Sequence, residues 1–488
     1  MKKSFLERVD FRVRKICKRV KFEYVALSII ILIAFFLRIF RLGLPSLWVD
    51  EATSAIASRM ILVKGFPIFD SGLLYGRAYF FHYLQSFFLL FGESDFLIRL
   101  ASVVIGVATV LLMYFVGREY SKSGGLISAL FMSVFYLEVF YSRQARFYQL
   151  FQLMFFLSLY FLYKSRKNPK FLYASLVSLF VAIDSQIAGL VLTPFFIVHI
   201  LIYSERWRRY FAVVPFVPFV KKFLSARGLS ADSASSAVNY ASRYAGYSSN
   251  LIYMIILFFP GVVWSFFRKR RLTLLMILPS VVLLVGVFSL RTFALRYAYF
   301  AVFPLVLYFS LFMSFLYERY GKIILVVIFA LLVVPSNIFF PYTSVSILMP
   351  VDYSFYDISA PTTNYKNLPD DLLVRLRSED VVLVSYFSSD VEWNIRKPDY
   401  VLPFSMNGIG EDQISYNGSG GVVDRYSGAP ILEGVPVGDY YVLADRFSVS
   451  KLKPLQKEFL RGLVEGCEIS YKGYDLVVYG CLDGYGKI

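Results

Sequence analysis

Two adjacent carboxylates, Asp50 and Glu51, are the residues of this sequence best placed to do chemistry. They follow Trp48 closely and come just after an apolar segment at residues 24–44 that is long enough to cross a bilayer. A carboxylate within hydrogen-bond reach of a hydroxyl group can accept its proton while a new bond forms. The pair therefore predicts a reaction centre at a membrane boundary. Asp50 is the expected base, and Glu51 orients a reactant, assists with a cation or holds the local helix.

The same residues also fit a structural interpretation. An acidic pair is typical of the first turn of a helix, whose dipole attracts negative charge, and a helix could run from here through Met60. Trp48 either anchors this segment at the lipid headgroups or forms a wall of the site. Arg38 and Arg41 precede the pair, and long basic side chains near the end of a span commonly extend to the membrane surface.

Composition places these residues in a polytopic α-helical membrane protein. Of the 488 residues 57% are hydrophobic and 17% are charged, and long apolar runs recur from Tyr24 to Phe340. These runs are continuous, whereas the strands of a membrane β-barrel alternate. The net charge of +17 comes mainly from short loops, and the chain has no recognisable nucleic-acid motif. We therefore expect a membrane partner and no nucleic acid.

The basic loops also predict an orientation. Residues 1–23 contain nine Lys or Arg before position 22, which indicates a cytoplasmic N-terminus, and the apolar run that follows is longer than a signal peptide. Residues 78–92 are expected to form an interfacial helix, because a span there would place every later basic loop on the wrong side of the membrane. About eleven transmembrane helices are predicted over residues 24–340, with a first external loop at residues 45–98. They are residues 24–44, 99–117, 125–141, 148–163, 171–183, 188–203, 210–220, 250–267, 272–290, 298–316 and 321–340.

Residues 341–488 have a different pattern. Apolar and polar patches alternate and no span is present, which predicts an extracytoplasmic soluble α/β domain. Strands are expected at residues 381–386, 440–444 and 475–478, and an amphipathic helix at residues 454–465. Cys467 and Cys481 lie opposite each other if their hairpin is centred on Tyr474, so a disulfide there depends on the register.

Four blocks of sequence resemble one known family. They are residues 37–52; residues 90–92 with 99–102, Gly106, Tyr114, Gly117 and Arg118; residues 141–148; and Arg296-Tyr297 with Pro304. In order and spacing over residues 24–163, and more loosely to about residue 340, they resemble the GT-C glycosyltransferases. The similarity is to the protein O-mannosyltransferase and aminoarabinose-transferase type. Members are integral membrane enzymes that move a sugar, with inversion, from a polyprenyl- or dolichyl-phosphate carrier to an acceptor at the extracytoplasmic face.

The resemblance assigns expected roles to residues of this chain. Asp50 and Glu51 are the catalytic candidates, and the departing lipid phosphate needs cations. The candidates for donor lipid-phosphate binding are Arg296, Tyr297, Arg291 and Arg146. The candidates for walls or supports of the site are Trp48, Arg143, Tyr148 and His82. The acceptor stays open between protein, lipid and glycan, as does the identity of the sugar.

The chain also departs from the family pattern. Arg77-Ala78-Tyr79 stands where many relatives have His-Pro-Pro, and Gln144 stands where many carry an acid. That acid could complete a metal site, so a divalent cation such as Mg²⁺ or Mn²⁺ stays open here. The candidate ligands are Asp50, Glu138 and Asp184.

Two other functions remain as alternatives to a glycosyltransferase. A secondary transporter would place ionisable residues near the middle of its spans, and this chain has few there. A GT-C-like scaffold without catalysis is consistent with Gln144. The loop at residues 221–250 is rich in Ser, Ala and Tyr, and it is either a lid over the acceptor or a passive connector.

Overall fold

A computed structural model describes residues 5–203, 252–288, 295–321, 323–336, 363–402, 414–416 and 422–482. The chain divides into two compact units. The first contains residues 1–40, 102–143 and 147–348, and the second contains residues 41–101, 144–146 and 349–488. The span predicted at residues 210–220, the candidate lid at 221–250 and Arg291 lie outside the described residues.

The first unit is built from helices, most of them long and apolar. Helix α4 begins in the second unit and continues in the first. Their bounds are α1 Phe5–Ile39, α4 Asp95–Arg118, α5 Lys122–Val134, α6 Tyr136–Tyr141, α7 Tyr148–Ser165, α8 Lys170–Ser185, α9 Thr193–Tyr203, α10 Ile252–Phe288, α11 Leu295–Ala298, α12 Val302–Tyr320 and α13 Ile323–Ser336. Within the described ranges, four segments are long and apolar enough to cross a membrane: Phe22–Ile39, Asp95–Arg118, Ile252–Val287 and Arg296–Tyr320. The chain is therefore a multi-pass membrane protein, and the number of eleven spans stays a prediction.

Breaks occur within one predicted span and between two others. The segment at residues 125–141 consists of two helices, because Phe135 adopts an extended conformation between them. Helix α10 covers the two spans predicted at 250–267 and 272–290, and it is broken at Lys269, whose backbone is not helical. The helix predicted at 78–92 is present as α3, Tyr79–Leu89, and its interfacial position stays a prediction.

The second unit holds a mixed five-stranded sheet. Its strand order is β2-β1-β5-β7-β6, with β1 parallel to β2 and β5, and β7 antiparallel to β5 and β6. The strands are β1 Val382–Ser385, β2 Tyr400–Val401, β5 Tyr440–Asp445, β6 Glu468–Lys472 and β7 Leu476–Cys481, and β3 Ile414–Tyr416 pairs with β4 Val422–Asp424 apart from them. The helices of this unit are α2 Val49–Lys64, α3, α14 Asp370–Arg377, α15 Ser388–Asn394, α16 Arg446–Lys451 and α17 Pro454–Leu463. The strands and amphipathic helix predicted for the C-terminal segment are thus confirmed.

The hairpin of β6 and β7 brings Cys467 and Cys481 together. Glu468 pairs with Gly480, so Cys467 comes opposite Cys481, and the two form a disulfide. A bulge near Tyr471 shifts the register closer to the turn but leaves the cysteine end unchanged. At its cysteine end the hairpin therefore has the register that the predicted disulfide required.

Residues of the first loop and the C-terminal segment pack into one unit. Arg59 of α2 forms an ion pair with Glu392 of α15. Asp95 accepts a hydrogen bond of 2.7 Å from Nε1 of Trp393 and pairs with Lys366. Trp393 also packs against the apolar side of α2. The helix that carries Asp50 is thus held by the C-terminal segment, although the sequence assigned the two to separate domains.

Asp390 gives the sheet domain a predicted pH dependence. Burial, and next the nearby Asp445 carboxylate, raises the pKa of Asp390 from 3.8 to about 8. The folded domain keeps this proton at neutral pH while the unfolded chain has lost it, so stability falls as pH rises through that window. Asp390→Asn, which is neutral at every pH, is expected to raise the melting temperature more at about pH 8 than at about pH 5. Calorimetry of the purified chain measures this, and equal shifts at both pH values would contradict it.

Candidate active site

Helix α2 presents the two carboxylates in different environments. Trp48 precedes the helix as its N-cap and is buried, and Asp50 and Glu51 lie in the first turn. The side chain of Asp50 is 35% exposed, whereas Glu51 is fully buried. Both acids are therefore favoured by the helix dipole, but only Asp50 is accessible to a reactant.

Glu51 is held by a buried ion pair with Arg99 of α4. Nε of Arg99 donates to Oε1 of Glu51 at 3.0 Å, and a terminal nitrogen donates to Oε2 at 2.7 Å. The backbone N–H of Ala145 also donates to Oε1, at 2.6 Å. Both charged side chains have no exposed surface. The acceptor positions of Glu51 are occupied by these contacts, which is the arrangement of a positioning residue.

Arg99 uses its remaining donors on the chain before α2. It donates to the backbone carbonyl oxygens of Leu42 (3.0 Å), Pro45 (2.8 Å) and Ser46 (3.1 Å). The pair therefore joins three sequence blocks of the family pattern: the segment before α2, the start of α4, and residues 144–146. It fixes the direction in which α2 begins, and with it the position of Asp50.

Arg146 lies directly beside Asp50. One terminal nitrogen is 3.5 Å from Oδ2 of Asp50, and the other donates to its backbone carbonyl oxygen at 2.9 Å. The second nitrogen also donates to the hydroxyl oxygens of Ser54 (2.7 Å) and Tyr75 (3.4 Å). The guanidinium orients the carboxylate and supplies positive charge next to it, and the predicted role of Arg146 in binding the donor lipid phosphate stays a prediction.

His82 lies in a polar cluster beneath α2. Its Nδ1 is 3.3 Å from the Ser58 hydroxyl and 3.2 Å from the amide oxygen of Gln85, and the ring is fully buried. Burial, and next the charge of Arg146, lowers the pKa of His82 to about 3. The imidazole is therefore neutral at physiological pH, and it supports α2 without a charge of its own.

A separate polar cluster occurs in the first unit. The Tyr299 hydroxyl donates to Oε2 of Glu138 at 2.5 Å, and the Gln149 amide donates to Oε1 at 2.7 Å. Tyr299 also hydrogen-bonds Gln149. All three residues are buried. Neither Tyr299 nor Gln149 was among the site residues predicted from the sequence. The signal that could have found them was the amide side chain of Gln149 at an apolar position of α7.

The arginines near the end of α1 are tied to the protein. Arg38 is fully buried and donates to the carbonyl oxygens of Ala34 (3.0 Å) and Ser133 (2.9 Å), so its expected extension to the membrane surface is wrong. Arg143 donates to the carbonyl oxygens of Leu37 (3.1 Å) and Phe40 (2.6 Å), at the C-terminal end of α1 and just after it. Arg143 therefore supports the end of α1.

A glycine of the second family block sets a close contact. A Cβ on Gly106 would lie 2.4 Å from Cβ of Ser142 and 2.9 Å from Nε of Arg38. Only glycine therefore lets α4 approach the segment that begins the third block.

The other candidates of the first unit lie on several helices. Arg296 and Tyr297 are partly exposed on α11, where the guanidinium is 5.5 Å from the Tyr297 ring. Tyr148 is buried at the start of α7, edge-on to Tyr141. Asp184 is partly exposed near the end of α8. These residues belong to one unit, and Asp50 and Arg146 belong to the other.

The metal candidates do not form a ligand cluster. Over the described ranges, no three His, Cys, Asp or Glu side chains lie together in a way that could hold a metal ion. Glu138 directs both carboxylate oxygens to Tyr299 and Gln149, and Asp50 pairs with Arg146. Glu138 and Asp50 thus already have partners within their own units, and a metal ion bound by the candidate ligands stays a prediction.

Known proteins with a similar sequence or fold indicate the family type. Residues 77–222 match the family model described as dolichyl-phosphate-mannose-protein mannosyltransferase. ArnT from Cupriavidus metallidurans in the apo state is similar in structure, with a TM-score of 0.60 at 11% identity, over 96% of this chain and 100% of that chain. The same protein bound to undecaprenyl phosphate gives 0.59 at 13% identity, over 95% and 99%. The chain has the GT-C fold. The predicted resemblance is therefore confirmed.

An archaeal protein shares this GT-C fold more distantly. The oligosaccharyltransferase of Archaeoglobus fulgidus, in complex with Zn and sulfate, has a TM-score of 0.51 at 12% identity, over 76% of this chain. The chain described here spans 62% of the length of that oligosaccharyltransferase. No curated protein sequence matches the chain. The family match and the fold together indicate a membrane glycosyltransferase.

Proposed function

We propose that this chain transfers a sugar from a polyprenyl- or dolichyl-phosphate carrier to an acceptor hydroxyl, with Asp50 as the base. The observation that carries this proposal is the contrast between the two carboxylates. Glu51 is buried and engaged by Arg99 and the Ala145 N–H, whereas Asp50 is partly exposed and held by Arg146. One acid is thus left able to accept a proton, at a position fixed by the other.

The chemistry balances as a single displacement. The acceptor oxygen attacks the anomeric carbon, its proton passes to Asp50, and the bond from that carbon to the phosphate oxygen breaks with its electron pair. The configuration at the anomeric carbon inverts. The carrier phosphate leaves with an added negative charge, which cations at the site stabilise. Arg146 is the cation beside Asp50, and the guanidinium fork suits a phosphate group.

Arg296 and Tyr297 are proposed as further contacts of the carrier phosphate. Arg296 belongs to the family block that precedes α12, and its guanidinium lies on an aromatic ring rather than in an apolar core. The undecaprenyl phosphate bound by ArnT supports a lipid phosphate as the donor's anchor here. The acceptor peptide tethered to the archaeal oligosaccharyltransferase supports an acceptor that reaches the same kind of fold.

The test is mass spectrometry of lipids and glycans from a strain that lacks the chain. A carrier-linked sugar is expected to accumulate while one glycosylated product disappears, and only the unaltered gene restores it. Unchanged lipids and glycans would contradict the proposal. Restoration by Asp50→Asn would instead favour the scaffold function, which Gln144 kept open, and accumulation of an unmodified solute would favour transport.

Orientation is a separate proposal with its own prediction. We place the N-terminus in the cytoplasm and the sheet domain outside, where an oxidising environment sustains the disulfide of Cys467 and Cys481. Val437 is 95% exposed, so Val437→Cys in a Cys17→Ser background is expected to react with a membrane-impermeant maleimide added to intact cells. The background protein without the added cysteine is the control. Labelling that appears only after lysis would overturn this orientation.

A further inference from the structure

One buried carboxylate shapes a tight turn in the C-terminal segment. Oδ2 of Asp424 accepts hydrogen bonds from the backbone N–H groups of Tyr426 (3.1 Å) and Ser427 (2.7 Å). It also accepts from the hydroxyls of Ser427 (2.8 Å) and Ser388 (2.7 Å). Gly428 closes the turn at a φ of 70°, which favours glycine. The backbone at Tyr426 is therefore fixed.

This turn contacts the loop that leads from α2 to Tyr75. The Ser71 hydroxyl donates to the carbonyl oxygen of Arg425 at 2.6 Å. A Cβ on Gly428 would lie 3.1 Å from Cα of Ser71, so the two backbones meet closely. A contact of this kind sets the position of the turn, and of the side chain it presents, relative to α2.

Tyr426 is the side chain presented there. Its ring centroid is 5.2 Å from that of Phe69, and Tyr75 packs on the same Phe69 ring at 5.6 Å. The Tyr75 hydroxyl accepts a hydrogen bond from Arg146, the partner of Asp50. Tyr75 is buried, whereas Tyr426 keeps part of its surface exposed. Tyr426 is thus the aromatic residue of this group that a bound molecule could touch.

The hydroxyl of Tyr426 stays protonated at neutral pH. Burial, and next the neighbouring Tyr75 and Asp50, raises the pKa of Tyr426 to about 12. The side chain therefore offers an aromatic face together with a hydrogen-bond donor. A sugar ring presents the matching features, since it has an apolar face of C–H groups and hydroxyls around its edge.

We propose that Tyr426 forms the wall of a sugar-ring subsite next to Asp50, so that the C-terminal domain takes part in substrate recognition. This inference rests on the proposed function. The ring belongs either to the sugar of the donor or to a carbohydrate acceptor, and the two sources share the same chemistry.

The test measures how transfer depends on each substrate. Radiolabelled dolichyl phosphate mannose serves as donor, membranes of a strain lacking the chain serve as acceptor, and each is titrated against the full-length purified protein. Tyr426→Ala is expected to raise the half-saturating amount of one substrate about five- to tenfold and leave the other within about twofold. The affected substrate identifies the source of the ring. Tyr426→Phe keeps the aromatic face and should stay much closer to the unaltered protein.

Two further variants separate recognition from folding. Tyr426→Leu keeps apolar bulk against Phe69 without an aromatic face, so it should reproduce the shift of Tyr426→Ala with an unchanged melting temperature. Tyr474→Ala removes an exposed tyrosine of the same domain and should change neither titration. Unchanged half-saturation for both substrates in Tyr426→Leu would overturn the subsite, as would equal shifts for both. Transfer that persists in Asp50→Asn would instead count against the proposed function.

Discussion

Replacing Asp50 by Asn is expected to lower the rate of sugar transfer about a thousandfold, within the range of general base catalysis. The amide has almost the same shape as the carboxylate but cannot accept the acceptor's proton. Its oxygen can still face Arg146, so the fold around α2 should persist. The measurement is transfer from a radiolabelled polyprenyl-phosphate sugar, with the melting temperature recorded on the same preparation.

Asp70→Asn is the matched control for this experiment. Asp70 lies in the same unit on the loop after α2, is exposed, and pairs with Lys64 at 3.0 Å. Its replacement should leave transfer within about twofold, since an exposed ion pair contributes little. Full activity in Asp50→Asn would remove the carboxylate from the base role, whatever the comparisons indicate about the fold.

Replacing Arg99 by Met is expected to destabilise the protein by about 3–5 kcal/mol. The change leaves the Glu51 carboxylate buried without its partner and deprives three backbone carbonyl groups of donors. Thermal unfolding of the purified chain measures the loss, and transfer should fall with it because Asp50 is displaced. Lys64→Met, which breaks an exposed pair of the same unit, should cost no more than about 1 kcal/mol.

A double variant shows what the buried pair contributes. When a buried ion pair is replaced by apolar residues of similar size, stability often recovers. In the variant with both Glu51→Leu and Arg99→Met we expect only partial recovery. The N–H of Ala145 and the carbonyl groups before α2 lose their partners in any case. Complete recovery would show that these backbone contacts matter little and that the pair does not fix α2.

Much of the architecture was predictable because hydrophobic periodicity and charge act locally. The helical segments including α3, the strands β1, β5 and β7, and the amphipathic helix α17 follow from patterns within short windows of sequence. The disulfide depended only on the register of one hairpin. The break at Phe135 was less visible, because no proline or glycine marks that position, whereas the break at Lys269 falls between two predicted spans.

The site was predicted only in part. The position of Asp50 in its motif identified it as the expected base, but the sequence left open whether Glu51 orients a reactant, assists with a cation or holds the local helix. That distinction requires knowing that Arg99, 48 positions away, reaches Glu51. Arg38 was misjudged because the carbonyl groups that receive its hydrogen bonds belong in part to α5, which is distant in sequence.

Sequence by itself determined that this is a helical membrane protein of the GT-C type with an appended α/β domain and an acidic pair after its first span. Composition, periodicity and short motifs carry that information because each acts over a few residues. Only the tertiary structure decided that Glu51 pairs with Arg99, that Asp50 is partly exposed beside Arg146, and that residues of the C-terminal segment pack against α2. Those outcomes depend on contacts between residues tens to hundreds of positions apart, which no local pattern encodes.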